Sequence, residues 1–106
     1  MDAVTRQIAA DVAEFGIRCN TVMFGAIHAE EHSAELQKNP IFAESLKTMN
    51  LFGRWGTMRE AANTILFFAS DDSSYVTAVC LPCDGSQVNM MCIPKFSDIV
   101  GSNWKQ

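Results

Sequence analysis

The feature that most constrains the fold is a spacing, Thr57 followed three residues later by Glu60, set just ahead of the run AANTILFFA. A hydroxyl and a carboxylate so placed can each satisfy one free amide in the first turn of a helix, which is a capping box. Behind it Ala61, Ala62, Ile65, Leu66, Phe68 and Ala69 recur at helical spacing and make a broad apolar face, so a helix is expected over residues 58–69. Residues 70–74, Ser-Asp-Asp-Ser-Ser, break that pattern with small polar side chains. Residues 75–81 are β-branched and apolar enough for a buried strand, and Asp84-Gly85 forms a turn pair. Loop, capped helix, polar turn, strand and sharp exit thus follow one another within residues 53–85.

The N-terminal part supplies a partner for that strand. Asp2 is placed to cap a helix over residues 3–15, with Val4, Ile8, Val12 and Phe15 on one face, and Gly16 ends it as a C′ glycine. Residues 17–23 read as a strand, with Ile17, Cys19, Thr21 and Met23 on one face and Val22 and Phe24 on the other. Apolar residues on both faces belong in a parallel sheet covered by helices. Residues 30–37 have helical composition, Asn39-Pro40 interrupts them, and residues 41–49 form a further short helix. Strand, long excursion, helix, strand is the grammar of a parallel crossover. The expected fold is therefore α/β: a partial Rossmann-like unit of two parallel strands with a helical crossover and flanking helices.

The order GRWGT, EAAN, LFFASDDSSYVTA, then LP and DG closely resembles the C-terminal part of the short-chain dehydrogenases/reductases. The resemblance covers about residues 3–90, and it divides the chain into that segment and an added tail over residues 91–106. It implies an NAD- or NADP-dependent oxidoreductase acting on alcohols or carbonyls. In that family a serine, and a tyrosine with a lysine four positions on, carry the chemistry. Here the one tyrosine, Tyr75, is followed four positions later by Val79, and the six glycines offer no Gly-rich turn after a first strand. The resemblance aligns the start of the chain just downstream of the tyrosine-lysine pair, so no catalytic residue is expected in this truncated chain.

One cofactor-touching motif does fall inside. Where the family carries Pro-Gly-x-Ile-x-Thr after the strand, this chain has Phe24, Gly25, Ala26, Ile27, His28 and Ala29. Gly25 and Ile27 match and are the expected cofactor-binding residues; the proline and the threonine, with its hydroxyl, are gone. Met58 replaces a helix-opening proline, Ala78 a glycine, and Ser86 a second glycine after Asp84. The resemblance also implies that the helix-strand unit over residues 58–82 builds a subunit contact, hence a homodimer. The resulting reading is a family fragment that is not catalytic alone and self-associates. The alternative is an oxidoreductase completed by a missing N-terminal half.

Two further constellations compete with this. His28-Ala-Glu-Glu31-His32 spells the H-x-x-E-H pattern of a zinc peptidase, in which the histidines share a helix face and Glu31 serves as base. The bland reading, two solvated histidines in an acidic, alanine-rich stretch, is the simpler one. Cys80-Leu-Pro-Cys83 is a C-x-x-C, but it runs off a strand rather than opening a helix, and no second pair completes a zinc site. A buried Cys80 and a fortuitous Cys83 are expected. A net charge of -4 with scattered basic residues excludes a nucleic-acid partner. No apolar run has membrane-spanning length, and Met1-Asp2 opens no secretory signal. Four free thiols then fit a cytoplasmic setting. The tail, with residues 89–92 (Asn-Met-Met-Cys), Phe96, Ile99, Val100 and Trp104, reads equally as a loosely packed terminus or as a cover over exposed surface.

Overall fold

The computed structural model describes residues 2–29 and 38–89. Helix α1 (Asp2–Val12) opens with an Asp2–Arg6 ion pair one turn apart. It tightens into a 3₁₀ turn at Ala13–Phe15 and stops at Gly16, whose φ of 71° is left-handed and whose amide donates to the Ala13 carbonyl. That is the expected glycine stop. The helix buries Thr5 and Ala9, four residues apart, and the Thr5 hydroxyl hydrogen-bonds the hydroxyl of Thr21 on the sheet.

Strand β1 (Thr21–Phe24) pairs in parallel with β2 (Cys80–Cys83), Thr21 opposite Cys80 and Phe24 opposite Cys83. The parallel pair and its helical crossover are as expected. Both strands are shorter than their sequence patterns suggest. Residues 17–20 are extended toward the polar loop 73–79 instead of a ladder: the Cys19 amide donates to the Thr77 hydroxyl, and Asn20 Oδ1 accepts from the Val79 amide. The second strand starts at Cys80, not Tyr75. Tyr75 is wholly exposed, the Val76 amide caps the Ser73 carbonyl, and Ala78 has a φ of 61°, which no strand accommodates.

Helix α2 (Pro40–Met49) begins one residue before the apolar pattern does. Asn39 is its N-cap, with Oδ1 accepting from the Ile41 amide at 3.0 Å, and Pro40 takes the first turn, where its missing N–H costs nothing. The residues that interrupt the composition thus start the helix. Helix α3 (Met58–Ala69) has the full capping box: Glu60 N donates to Thr57 Oγ1 at 3.1 Å and Thr57 N to Glu60 Oε2 at 2.8 Å. At its far end the Arg18 guanidinium donates to the carbonyls of Phe68 (2.9 Å) and Ser70 (3.2 Å), and to the hydroxyl of Ser73 (2.7 Å). A cation on the terminal carbonyls satisfies acceptors that the helix itself leaves open.

Alternation along the strands sorts the faces. Thr21 looks toward α1, while Cys83 lies on the α3 side, 3.3 Å from the Thr64 hydroxyl. Among the described residues the buried apolar side chains are Ala9 and Ala61, and the buried polar ones are Thr5, Asn50 and Ser73. No described helix is long and apolar enough to cross a membrane.

Candidate functional site

Beyond the C-terminal ends of β1 and β2 the chain makes two crossing loops, and here the residues Gly25 and Ile27 lie. Gly25 follows β1 directly, its amide donating to the Cys83 carbonyl at 3.2 Å. A methyl built on it would stand 2.7 Å from Asp84 Cβ and 2.9 Å from Asp84 Cα, closer than carbon atoms approach. Only glycine lets the two strand ends lie so close together. Ile27 forms a parallel bridge with Gly56: His28 N donates to the Gly56 carbonyl and Gly56 N to the Ala26 carbonyl, both at 2.8 Å. The Ile27 side chain fills the space where a Gly56 methyl would be, 2.7 Å away.

Asp84 and Asn50 organise the neighbouring turns. Asp84 Oδ1 accepts from Ser86 N at 2.9 Å and Oδ2 from Val88 N at 3.1 Å, so the carboxylate closes the turn that ends β2. Gly85 and Ser86 both have positive φ, 60° and 73°. Asn50 is 4% exposed and fully engaged: Oδ1 accepts from Phe52 N and Gly53 N, and Nδ2 donates to the Arg54 carbonyl. Leu51 N donates to the Gly85 carbonyl at 2.9 Å, which ties this loop to the turn after β2. Trp55 meets the His28 ring nearly at right angles (centroids 6.2 Å apart) and contacts Phe42 (5.3 Å), linking the loop to α2; its Nε1 is buried with no partner among the described residues.

Between these loops lies a cavity of about 150 Å³, lined by Ile27, Asn50, Phe52, Cys83 and Asp84, with Arg54 and Glu60 at its edge. The two charges satisfy each other through paired bonds of 2.9 and 3.1 Å. The Arg54 hydrogen bond, then the Thr57 amide, pull the Glu60 carboxyl down to about 2, against the opposing effect of burial. The charge left over at the cavity is Asp84, whose carboxylate accepts from the Ser86 and Val88 amides. The cavity would hold about five waters at ~30 Å³ each, against the roughly 300–1,000 Å³ of a site that buries a sizeable ligand. These residues do not by themselves fit a dinucleotide. The amides of Gly25 and His28 are already bonded to main-chain carbonyls, and Ala29 brings no hydroxyl.

The remaining sequence motifs are not assembled here. Glu31 and His32 of the zinc pattern, residues 30–37 as a helix, and the tail over 91–106 lie outside the described residues; His28 meets Trp55. Cys80 is half-buried, not buried, and Cys83 lies inside the strand with it rather than beyond its end. Three residues along a strand, the two Cα atoms are about 10 Å apart with side chains on opposite faces, too far for a disulfide. The polar cluster that the sequence reading missed centres on Arg18, Asn20 and Ser73. No local pattern signals it, because its partners are more than 50 residues apart along the chain.

A family model described as enoyl-(acyl carrier protein) reductase matches residues 1–86. The chain is 34% identical over 100 residues to a 7alpha-hydroxysteroid dehydrogenase of Paraclostridium sordellii, covering 93% of this chain and 36% of that protein. It is 37% identical over 108 residues to the uncharacterized oxidoreductase YxbG of Bacillus subtilis, covering 97% and 39%. The chain thus spans little more than a third of the length of these relatives. Among solved structures, a short chain dehydrogenase from Bacillus anthracis superposes with a TM-score of 0.68 at 26% identity, over 88% of this chain and 33% of that one. A 2-deoxy-D-gluconate 3-dehydrogenase candidate from Agrobacterium tumefaciens, with bound NADP, gives 0.75 at 25% identity, over 84% and 36%. On the family match across residues 1–86 and on these relatives, the chain belongs to the short-chain dehydrogenase/reductase family.

Proposed function

We propose that this polypeptide is the packing and subunit-contact portion of a short-chain dehydrogenase/reductase, not catalytic alone and self-associating. The observation that carries this reading is the state of its apolar faces. Leu66 is 63% and Phe67 40% exposed on α3, while just two described apolar residues are buried. Apolar surface of this extent favours a partner surface, at about 25 cal/mol per Å² removed from water. The chemistry points the same way, since Tyr75 is fully exposed and has Val79 rather than a lysine four residues on.

In this reading the homodimer forms through the helix-strand unit over residues 58–82, with residues 1–90 as the family segment and 91–106 as an added tail. Leu66→Glu with Phe67→Glu is expected to lower the light-scattering mass of a micromolar sample to that of one chain. A wild-type monomer at the same concentration would sink the dimer. Gly25 and Ile27 are the residues we expect at the nicotinamide end of NAD or NADP, once other chain supplies the rest of the site. Titration with NADH and NADPH, followed by nicotinamide fluorescence, tests this: no saturable binding is expected of the polypeptide alone, and turnover of any carbonyl would overturn the non-catalytic reading.

The second reading is an oxidoreductase completed by an N-terminal half on another chain, and the limited span over the curated relatives supports it. Zinc binding through His28 and His32 is the minor alternative; isothermal titration with zinc, lost in His28→Ala, would establish it. A cytoplasmic setting agrees with the free thiols of Cys19, Cys80 and Cys83.

A further inference from the structure

A groove of about 380 Å³ runs between the end of β1 and the first half of α3, lined by Phe24, Gly25, Ile27, Met58, Ala62 and Ile65, with no charged side chain. It is open: Phe24 is 46%, Met58 61% and Ile65 51% exposed. The chain itself arrives at this groove. Gln87 lies against Gly25, its Oε1 3.0 Å from where a Gly25 methyl would stand, and Asn89 follows two residues on. Seventeen residues continue from there, MMCIPKFSDIVGSNWKQ, and seven of them are large and apolar: Met90, Met91, Ile93, Phe96, Ile99, Val100 and Trp104.

We propose that the C-terminal segment, residues 90–106, packs back into this groove, with its apolar side chains against Phe24, Met58 and Ile65. Reach is not limiting. Met58 and Ile65 are about 10 Å apart along the helix axis, and four extended residues span about 13 Å. Tethering decides between this occupant and a second copy of the chain. A segment joined to the edge of the groove is present there at an effective concentration in the millimolar range, whereas a separate copy must lose its translational freedom at every encounter. Phe67, nine residues on from Met58, lies on the opposite side of α3 and stays free for another copy, so failure of the dimer leaves this inference standing.

The test labels the full chain with 5-fluorotryptophan, which gives one ¹⁹F resonance for Trp55 and one for Trp104, assigned with Trp104→Phe. A Trp104 resonance displaced from that of the free amino acid is expected. Ile65→Ala should move it toward the free position, as the docking equilibrium weakens about tenfold through lost apolar contact. Phe67→Ala, on the opposite side of α3, should leave it in place. The Trp55 resonance reports that the fold is kept. If Ile65→Ala disturbs it, Met58→Ala, at the exposed start of α3, makes the same measurement. A Trp104 signal at the free position in the wild-type chain, or one indifferent to both groove substitutions, overturns the proposal. So does a displacement that vanishes on dilution, which would mean a second copy fills the groove.

Discussion

Two regions of this molecule are built on opposite terms. The seam joining residues 18–20 to the loop 70–79 is polar, and its hydrogen bonds are closed within the chain: Arg18 reaches the carbonyls of Phe68, Ser70 and Val76 and the Ser73 hydroxyl, Asn20 bonds Val76 and Val79, and Ser73 is completely buried. Apolar side chains on α1 and α3 are bare, with Val4 57% and Leu66 63% exposed. Hydrogen bonds are directional and need one well-placed partner, so a short chain can complete them. Burial of apolar surface scales with area, and the two strands and three helices among the described residues do not supply enough. The chain therefore fixes its own geometry at the polar seam, while apolar side chains of its described helices stay exposed.

The largest expected effect tests that division directly. Arg18→Ala removes the donor from the Phe68 and Ser70 carbonyls and leaves the Ser73 hydroxyl without it. Losing charge-assisted bonds around a buried group should cost about 3 kcal/mol in urea unfolding. Leu66→Ser on the bare face, measured below the association concentration, should stay within about 0.5 kcal/mol of the wild type. The reverse ranking would mean that the apolar face, not the seam, holds the monomer together.

A second test moves to the other end of the strands. Gly25→Ala puts a methyl 2.7 Å from Asp84 Cβ, against backbone that is held by the β1–β2 pairing. Overpacking of this kind should cost about 2 kcal/mol, read as a lower urea midpoint at unchanged slope. A neutral outcome would show that the strand ends separate easily, and that the glycine is kept for contact with a ligand instead.

Local features were legible in the sequence, and long-range ones were not. The capping box at Thr57 and Glu60, the glycine stop at Gly16 and the parallel strand pair follow from residues close together in the chain or from the element order. The start of β2 was misplaced by five residues because residues 75–79 have strand composition, while Ala78 turns left-handed to let its amide reach the Cys19 carbonyl. That bond spans most of the chain and leaves no mark on local composition. The same holds for Arg18, which looks like a surface residue until its partners are brought to it. At the candidate site the sequence identified Gly25 and Ile27 from a resemblance alone. Their packing against Asp84 and Gly56 became visible only with the crossing loops in place.

The two positions where glycine was expected give a third, smaller test, and one of opposite sign. Ala78 and Ser86 have φ values of 61° and 73°, and neither conformation suits a residue with a Cβ. Their backbone amides already bond Cys19 and Asp84, so a glycine would keep those bonds. Ala78→Gly and Ser86→Gly should each stabilise by about 0.5 kcal/mol, because relief of strain outweighs the added freedom of the unfolded chain. Both residues border β2, one on either side. Stabilisation at both would show that the backbone path holds its shape against the side chains it carries.

The smallest effect concerns the exposed Arg54–Glu60 pair, which belongs to neither region and separates fixed geometry from stability. Its folded carboxyl titrates at about 2, below the ordinary value of 4.5, chiefly through Arg54 and then through the Thr57 amide. A depressed carboxylate favours the folded state above the unfolded pKa, and the benefit fades as pH falls from 4.5 toward 2. Stability should therefore decline across that window, and Glu60→Gln should flatten the decline while lowering stability at pH 7. The pair is solvent-exposed, so 0.5 M salt should remove most of the difference between the two proteins. The capping bonds themselves are short-range and should survive the salt, as a neutral glutamine can still accept from Thr57 N. If Glu60→Gln instead loses as much at high salt as at low salt, the carboxylate acts mainly as a helix cap, and the ion pair with Arg54 only orients it.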